Sequence, residues 1–180
     1  MTQAASVLCA IVFFVLAAQP APAAGSETRT LAPVSIAVLD LELVDTSLEG
    51  ASHGVDPAET KRLVLVSDLL RDLLGASGKY QVVDTTPAKA AIADAGLIHG
   101  CNGCDVKIAG SLGADRVMTG TVEKVSTLIL TISLFERDVA SGALLQVATA
   151  QIRGNTDESW TRGVRWLVRN RLLAEPKGEK

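Results

Sequence analysis

Two cysteines separated by two residues, Cys101 and Cys104, are the sharpest chemical feature of this 180-residue chain. They lie in His99-Gly100-Cys101-Asn102-Gly103-Cys104-Asp105, directly ahead of a stretch with helical character. A Cys-x-x-Cys at a helix start brings one sulfur near free backbone N–H groups, which lowers the thiol pKa and makes a disulfide exchangeable. Three chemistries are open to it: a structural disulfide, a thiol-exchange centre, or a metal site to which His99 and Asp105 add ligands. A Cys-x-x-Cys with one flanking His is half of a zinc site. Closing so short a loop removes little chain entropy, so a structural bond here would act by shaping the loop. Covalent haem is excluded, because Asp105 and not His follows the second cysteine.

Other reactive side chains are sparse. His53 and His99 are the only imidazoles. No phosphate loop or His-Glu-x-x-His occurs. The expectation is a non-enzyme without a cofactor. Acids gather in one segment, Asp40, Glu42, Asp45, Glu49 and Asp56, without the spacing of an EF-hand. They read as a solvated loop leaving the end of the first strand, or as a weak cation site. Near the carboxyl terminus, Arg162, Arg165 and Arg169 share one side of a helix with Trp166 at their margin. Arginine beside tryptophan is the composition of an interface anchor. A solvated basic face is the plainer reading of the same residues. The net charge of −3 and an aromatic content of 3 % argue against nucleic-acid binding, which needs basic surface and stacking rings.

The compartment follows from the amino terminus. Val7 to Leu16 is an unbroken apolar run, and Ala21-Pro22-Ala23 fits a small-residue cleavage site. A segment of about 7–15 apolar residues ending this way reads as a secretory signal peptide. Residues 1–23 are therefore expected to be removed, with cleavage near Ala23, although the n-region has neither Lys nor Arg. Cys9 leaves with that segment, so Cys101 and Cys104 are expected to pair in an oxidising periplasm. No integral membrane segment is expected after cleavage.

The elements that position these residues can be read from periodicity. Residues 24–33 form a flexible lead, 34–174 one α/β domain, and 175–180 a disordered tail. Val34 to Leu41 reads as a buried strand. Asp56-Pro57-Ala58-Glu59 opens a helix that runs to Gly75, with Asp56 as its cap. Tyr80 to Asp84 is a second strand, and Thr86 to Ala95 a second helix. A third helix follows the cysteines as far as Gly113. Residues 116–125, 128–137 and 143–153 are three further strands. Asn155 is expected to cap a last helix that buries Trp160, Val164, Leu167 and Val168. The order is β-α-β-α-α-β-β-β-α: a single mixed sheet of about five strands with helices packed on it.

Ile36-Ala37-Val38-Leu39-Asp40, Ser77 to Asp84, Leu112 to Gly120 and the turn Asp138-Val139-Ala140-Ser141-Gly142 resemble a periplasmic α/β domain. That domain recurs in the amino-terminal part of TolB, in the curli secretion channel family and in lipoprotein activators of cell-wall synthases. Asp45 to Gly50, Cys101 to Cys104 and Arg153 to Trp160 further resemble a family of uncharacterised secreted bacterial proteins. The resemblance implies a protein-binding or assembly module. The expectation is a non-enzymatic periplasmic accessory protein that binds another exported protein. Its expected contact residues are Arg162, Arg165, Trp166 and Arg169, with Asp45 and Glu49 on the acidic segment. The alternative is a periplasmic thiol-disulfide or metal-handling factor built on Cys101 and Cys104, with His99 and Asp105 as further ligands.

Overall fold

The computed structural model describes residues 32–174. The expected signal peptide, most of the lead and the tail lie outside the described residues. Six strands form one mixed sheet: β1 Val34–Val38, β2 Glu42–Asp45, β3 Tyr80–Val83, β4 Arg116–Ser126, β5 Ile129–Asp138 and β6 Leu144–Ile152. The order is β3-β1-β4-β5-β6, with β2 also paired to β4. β1 runs parallel to both neighbours, and β4, β5 and β6 form an antiparallel meander. The helices are α1 Leu48–His53, α2 Pro57–Gly75, α3 Lys89–Ala95, α4 Cys104–Ser111 and α5 Asp157–Leu167, the last continuing in a wider π-helical turn, Val168–Leu172. Helices α2 and α5 cover one face and bury the main core, including Val66, Leu70, Trp160 and Val164. Helices α3 and α4 cover part of the other face over a smaller core around Ala37, Leu39, Ile108 and Val117.

The mixed sheet is as the sequence predicts, with one strand more. The segment expected to be a solvated acidic loop holds β2 and α1 instead. The reason lies at residues 39–41. Val38 pairs with Met118 and Glu42 with Thr121, so the first strand carries one residue more than β4 across this interval. Such a bulge inverts the pleat. Ile36 and Val38 face the main core, while Ala37 and Leu39 face the smaller one; beyond the bulge Leu41 and Leu43 return to the main core. Helix α2 satisfies the backbone groups displaced from the ladder. Leu41 N–H donates to Ser67 Oγ at 2.9 Å, and Arg71 donates from Nε and Nη2 to the Val38 carbonyl at 3.2 and 3.1 Å. Ser67 and Arg71 stand one turn apart on the same helix face. On the β4 side Gly120 leaves the room that Leu41 fills. A Cβ there would lie 2.9 Å from Leu41 Cγ and 2.8 Å from Leu134 Cδ2.

Two helix starts show how local chemistry sets these boundaries. Asp56 caps α2 as expected, its side chain accepting from Ala58 N–H at 2.8 Å with Pro57 in the first turn. The last helix starts one residue later than expected. Thr156, not Asn155, is its cap and accepts from Ser159 N–H at 3.2 Å. Asn155 is drawn off by tertiary partners described below. Trp160, Val164, Leu167 and Val168 are all buried, as the helical spacing predicts.

The bulge supports a direct test. Gly120→Ala is expected to cost about 1–3 kcal/mol through overpacking against Leu41 and Leu134. Ser67→Ala is expected to cost about 1–3 kcal/mol by stranding the Leu41 N–H. Urea unfolding of both variants checks this; native-like midpoints would show that the bulge has no such dependence.

Candidate functional site

Cys101 and Cys104 are joined by a disulfide, with their Cα atoms 5.9 Å apart. Cys101 ends a short 3₁₀ turn, Ile98–Gly100, and Cys104 is the first residue of α4. Gly103 precedes it at φ 85°, a left-handed conformation that suits glycine, and gives the helix no side-chain cap. The loop is held from two sides. Glu42, which the bulge turns to this face, accepts from the backbone N–H groups of Ile98 and His99 at 2.7 and 2.8 Å. The same carboxylate accepts from His99 Nδ1 at 2.7 Å, which fixes the proton on that nitrogen. On the far side Arg137 Nε lies 3.3 Å from Asp105 Oδ2. Between these anchors is a cleft of about 450 Å³ lined by Asn102, Thr121 and Phe135 among others.

These pairings engage all four residues of the metal alternative. The sulfurs are consumed by the bond, His99 belongs to Glu42, and Asp105 to Arg137. Among the described residues no group of three or more His, Cys, Asp or Glu is arranged to hold a metal ion.

The acidic contact residues both turn to one lysine, Asp45 from a half-buried position and Glu49 from an exposed one. Asp45 Oδ2 and Glu49 Oε2 each lie 3.2 Å from Lys124 Nζ, and Glu59 Oε1 lies 2.7 Å from it. Lys124 is 2 % exposed and Glu59 fully buried. Burial alone would lower the Lys124 pKa, but the hydrogen bonds it donates to Glu59, Glu49 and Asp45 outweigh that and raise the value. Burial likewise works to raise the Asp45 pKa, and bonds from Ser47 and Lys124 leave it lowered instead. The network continues outward. Asn155 Nδ2 donates to Glu59 Oε1 at 2.5 Å, and Asn155 Oδ1 accepts from Trp160 Nε1 at 3.0 Å. Arg62 reaches Asn155 Oδ1 at 3.3 Å and Asp157 Oδ1 at 2.8 Å. The motifs around Asp45 and Asn155, far apart in sequence, thus meet at one buried lysine. Sequence reading missed Lys124, although period two places it on the inward side of β4 with Met118 and Val122.

Arg162, Arg165, Trp166 and Arg169 are exposed together on α5 and its continuation. Arg162 Nη1 lies 3.3 Å from Glu158 Oε1, one helical turn back. Among the described residues Arg165 and Arg169 have no ion-pair partner. Trp166 is 41 % exposed, with the Arg171 guanidinium 5.8 Å from its ring centre. Beside them runs a groove of about 440 Å³ between α5 and the edge strand β6, lined by Ala150, Ile152, Arg153, Arg162, Gly163 and Trp166. Gly163 allows the close approach of helix to sheet, because a Cβ there would stand 2.7 Å from Ile152 Cγ2. Helical spacing does not disclose this groove; it depends on which strand ends the sheet. No described helix is long and apolar enough to cross a membrane.

Two outcomes are expected from these arrangements. Removing the lysine charge with Lys124→Met leaves buried carboxylates facing each other and should cost about 3–5 kcal/mol near neutral pH. The native contribution of Asp45, whose folded pKa is lowered, is present above its unfolded value and lost as pH falls through the folded one. Without Lys124 the Asp45 pKa is lowered less, so the stability of the variant should fall less steeply than that of the native chain as pH drops through the acid range; urea midpoints across that range check the sign. Replacing Cys101 and Cys104 by Ser should cost no more than about 2 kcal/mol, the chain-entropy value for so short a loop.

Similarity to known proteins spans most of the described residues. No curated protein matches the chain. Among solved structures it is similar to the LpoB C-terminal domain from Salmonella enterica, at 15 % identity and a TM-score of 0.47, covering 67 % of this chain and 83 % of that one. It is similar to lipoprotein GNA1162 from Neisseria meningitidis at 18 % identity and a TM-score of 0.48, covering 78 % of this chain and 98 % of that one. With TolB from Acinetobacter baumannii the identity is 12 % and the TM-score 0.43, covering 78 % of this chain and 28 % of that one. Residues 34–172 match the family DUF3280, described as "Protein of unknown function (DUF2380)", and the chain belongs to that family.

Proposed function

We propose that this chain is a non-catalytic accessory protein, exported to the periplasm, that binds another exported protein through the α5 side of its sheet. The observation that carries this reading is the half-exposed Trp166 beside the groove along β6, flanked by Arg162 and Arg171. A large aromatic ring left in water at the wall of a concavity, with guanidinium groups at its rim, is the composition of an interface hot spot. The segment from Arg153 to Arg171 carries five arginines against Asp157 and Glu158, in a chain whose net charge is −3. This local excess of positive charge steers an acidic surface to the groove. Asp45 on β2 and Glu49 on α1, both ion-paired to Lys124, form the second contact surface of this reading.

The thiol-exchange alternative rests on Cys104 opening α4 without a side-chain cap. The bond is anchored on both flanks by Glu42 and Arg137, which favours the structural reading. A reduction potential below about −300 mV would mark it as inert.

Reversing Arg162, Arg165 and Arg169 to Glu should abolish capture of the partner by crosslinking in the periplasm, while the thermal unfolding midpoint stays near that of the native chain. Capture undiminished in the triple variant removes this surface from contention.

A further inference from the structure

Strand β6 ends the sheet, and nothing described covers its outer edge. Among the described residues it pairs only with β5, through nine residues, Leu144–Ile152, that include no proline and no charged side chain. An edge of that length without Lys, Pro or inward charge lacks the usual guards against pairing with another chain. Which groups face outward follows from the register. Gly154 N–H donates to the Leu128 carbonyl, and Ile152 pairs with Leu130, so the even-numbered residues of β6 bond inward to β5. Val147, Thr149 and Gln151 therefore turn their N–H and C=O groups to the free edge. Helix α5 and its continuation run alongside that edge on one face. Gln146 Nε2 bonds the Arg171 carbonyl at 2.7 Å near one end of β6, and the groove by Arg162 and Trp166 opens near the other.

We infer that the free edge of β6 is a strand-addition site for an extended, acidic segment of the partner, with one bulky apolar side chain of that segment seated in the groove between Gly163 and Trp166. The inference rests on the binding-module reading above and names how the partner is held. An added strand takes its affinity from main-chain bonds and its specificity from alternate side chains. Every second side chain of such a strand points to the α5 side, where the groove offers an apolar floor and a tryptophan wall. The acidic character follows from charge. The segment Arg153–Arg171 sums to +3, and the remainder of the chain to −6. A second copy of this chain pairing β6 to β6 about a twofold would set the same basic segment against itself, which disfavours self-association at this edge.

The test uses the purified chain and a synthetic peptide alternating Glu with Val around a single Phe. Binding should slow hydrogen exchange at the amides of Val147, Thr149 and Gln151. The same peptide N-methylated at alternate residues, or with Lys in place of Glu, should bind at least roughly tenfold more weakly. Thr149→Pro should have the same effect, because the Thr149 N–H makes no ladder bond and proline is tolerated at such edge positions. The N-methylated peptide gives the answer even if that variant unfolds. Unchanged affinity after N-methylation, protection confined to α5, or a dimer that Thr149→Pro dissolves would each overturn the inference. So would adsorption to phosphatidylglycerol vesicles with no peptide binding, which would make the basic side a lipid contact. Loss of partner capture in the triple arginine variant, with capture retained in Thr149→Pro, would leave the binding module standing and remove strand addition alone.

Discussion

The single extra residue between Val38 and Glu42 governs most of what the structure does with its polar groups. Without it, alternation would send Leu41 and Leu43 away from the main core and Asp45 away from Lys124. With it, one continuous edge of β4 accepts both β1 and β2, while Glu42 and Asp45 are delivered to opposite faces. Glu42 then grips the disulfide loop, and Asp45 joins the buried lysine cluster. Helix α2 makes the irregularity tolerable by supplying Ser67 and Arg71 to the displaced backbone groups. A bulge whose orphan groups went unpaired would cost more than the packing it permits.

The legibility of the chain divides along a physical line. Features set by nearest neighbours in sequence could be read: the Asp56-Pro57 start of α2, the meander of three strands, and the face of α5 that buries Trp160 and Leu167. Features set by tertiary partners could not. The density of acids from Asp40 to Asp56 suggests solvent, yet Glu42 and Asp45 each have a specific internal partner. Asn155 has the chemistry of a cap, but Glu59 and Trp160 compete for its amide and Thr156 takes the capping role. The exposed arginines of α5 follow from helical spacing alone. The groove beside them does not, because it exists only once β6 is known to be an edge strand.

The two faces of the sheet are finished to different degrees. The face under α2 and α5 is closed over a core that holds the largest buried side chains, Trp160 among them. On the other face α3 and α4 pack over the β1 side of the sheet, and the outer strands carry Ser133, Val147 and Thr149 toward water. Serine and threonine tolerate that half-exposed position, since their hydroxyls can pair across strands, as Ser133 and Thr149 do at 3.2 Å. The asymmetry concentrates the unfinished surface at one side of the molecule, around β5 and β6.

The position of β1 between β3 and β4 also sets an order of assembly. Its partners begin at Tyr80 and Arg116, so its hydrogen bonds close long loops, whereas β4, β5 and β6 are neighbours in sequence. Local pairings form fast and non-local parallel ones slowly. A chain delivered amino terminus first therefore presents an apolar β1 that must wait for the far half of the protein. By that rule the carboxyl-terminal meander is expected to pair first, and the β1 and β2 pairings to β4, on which the bulge, the disulfide loop and the lysine cluster rely, are expected to follow it.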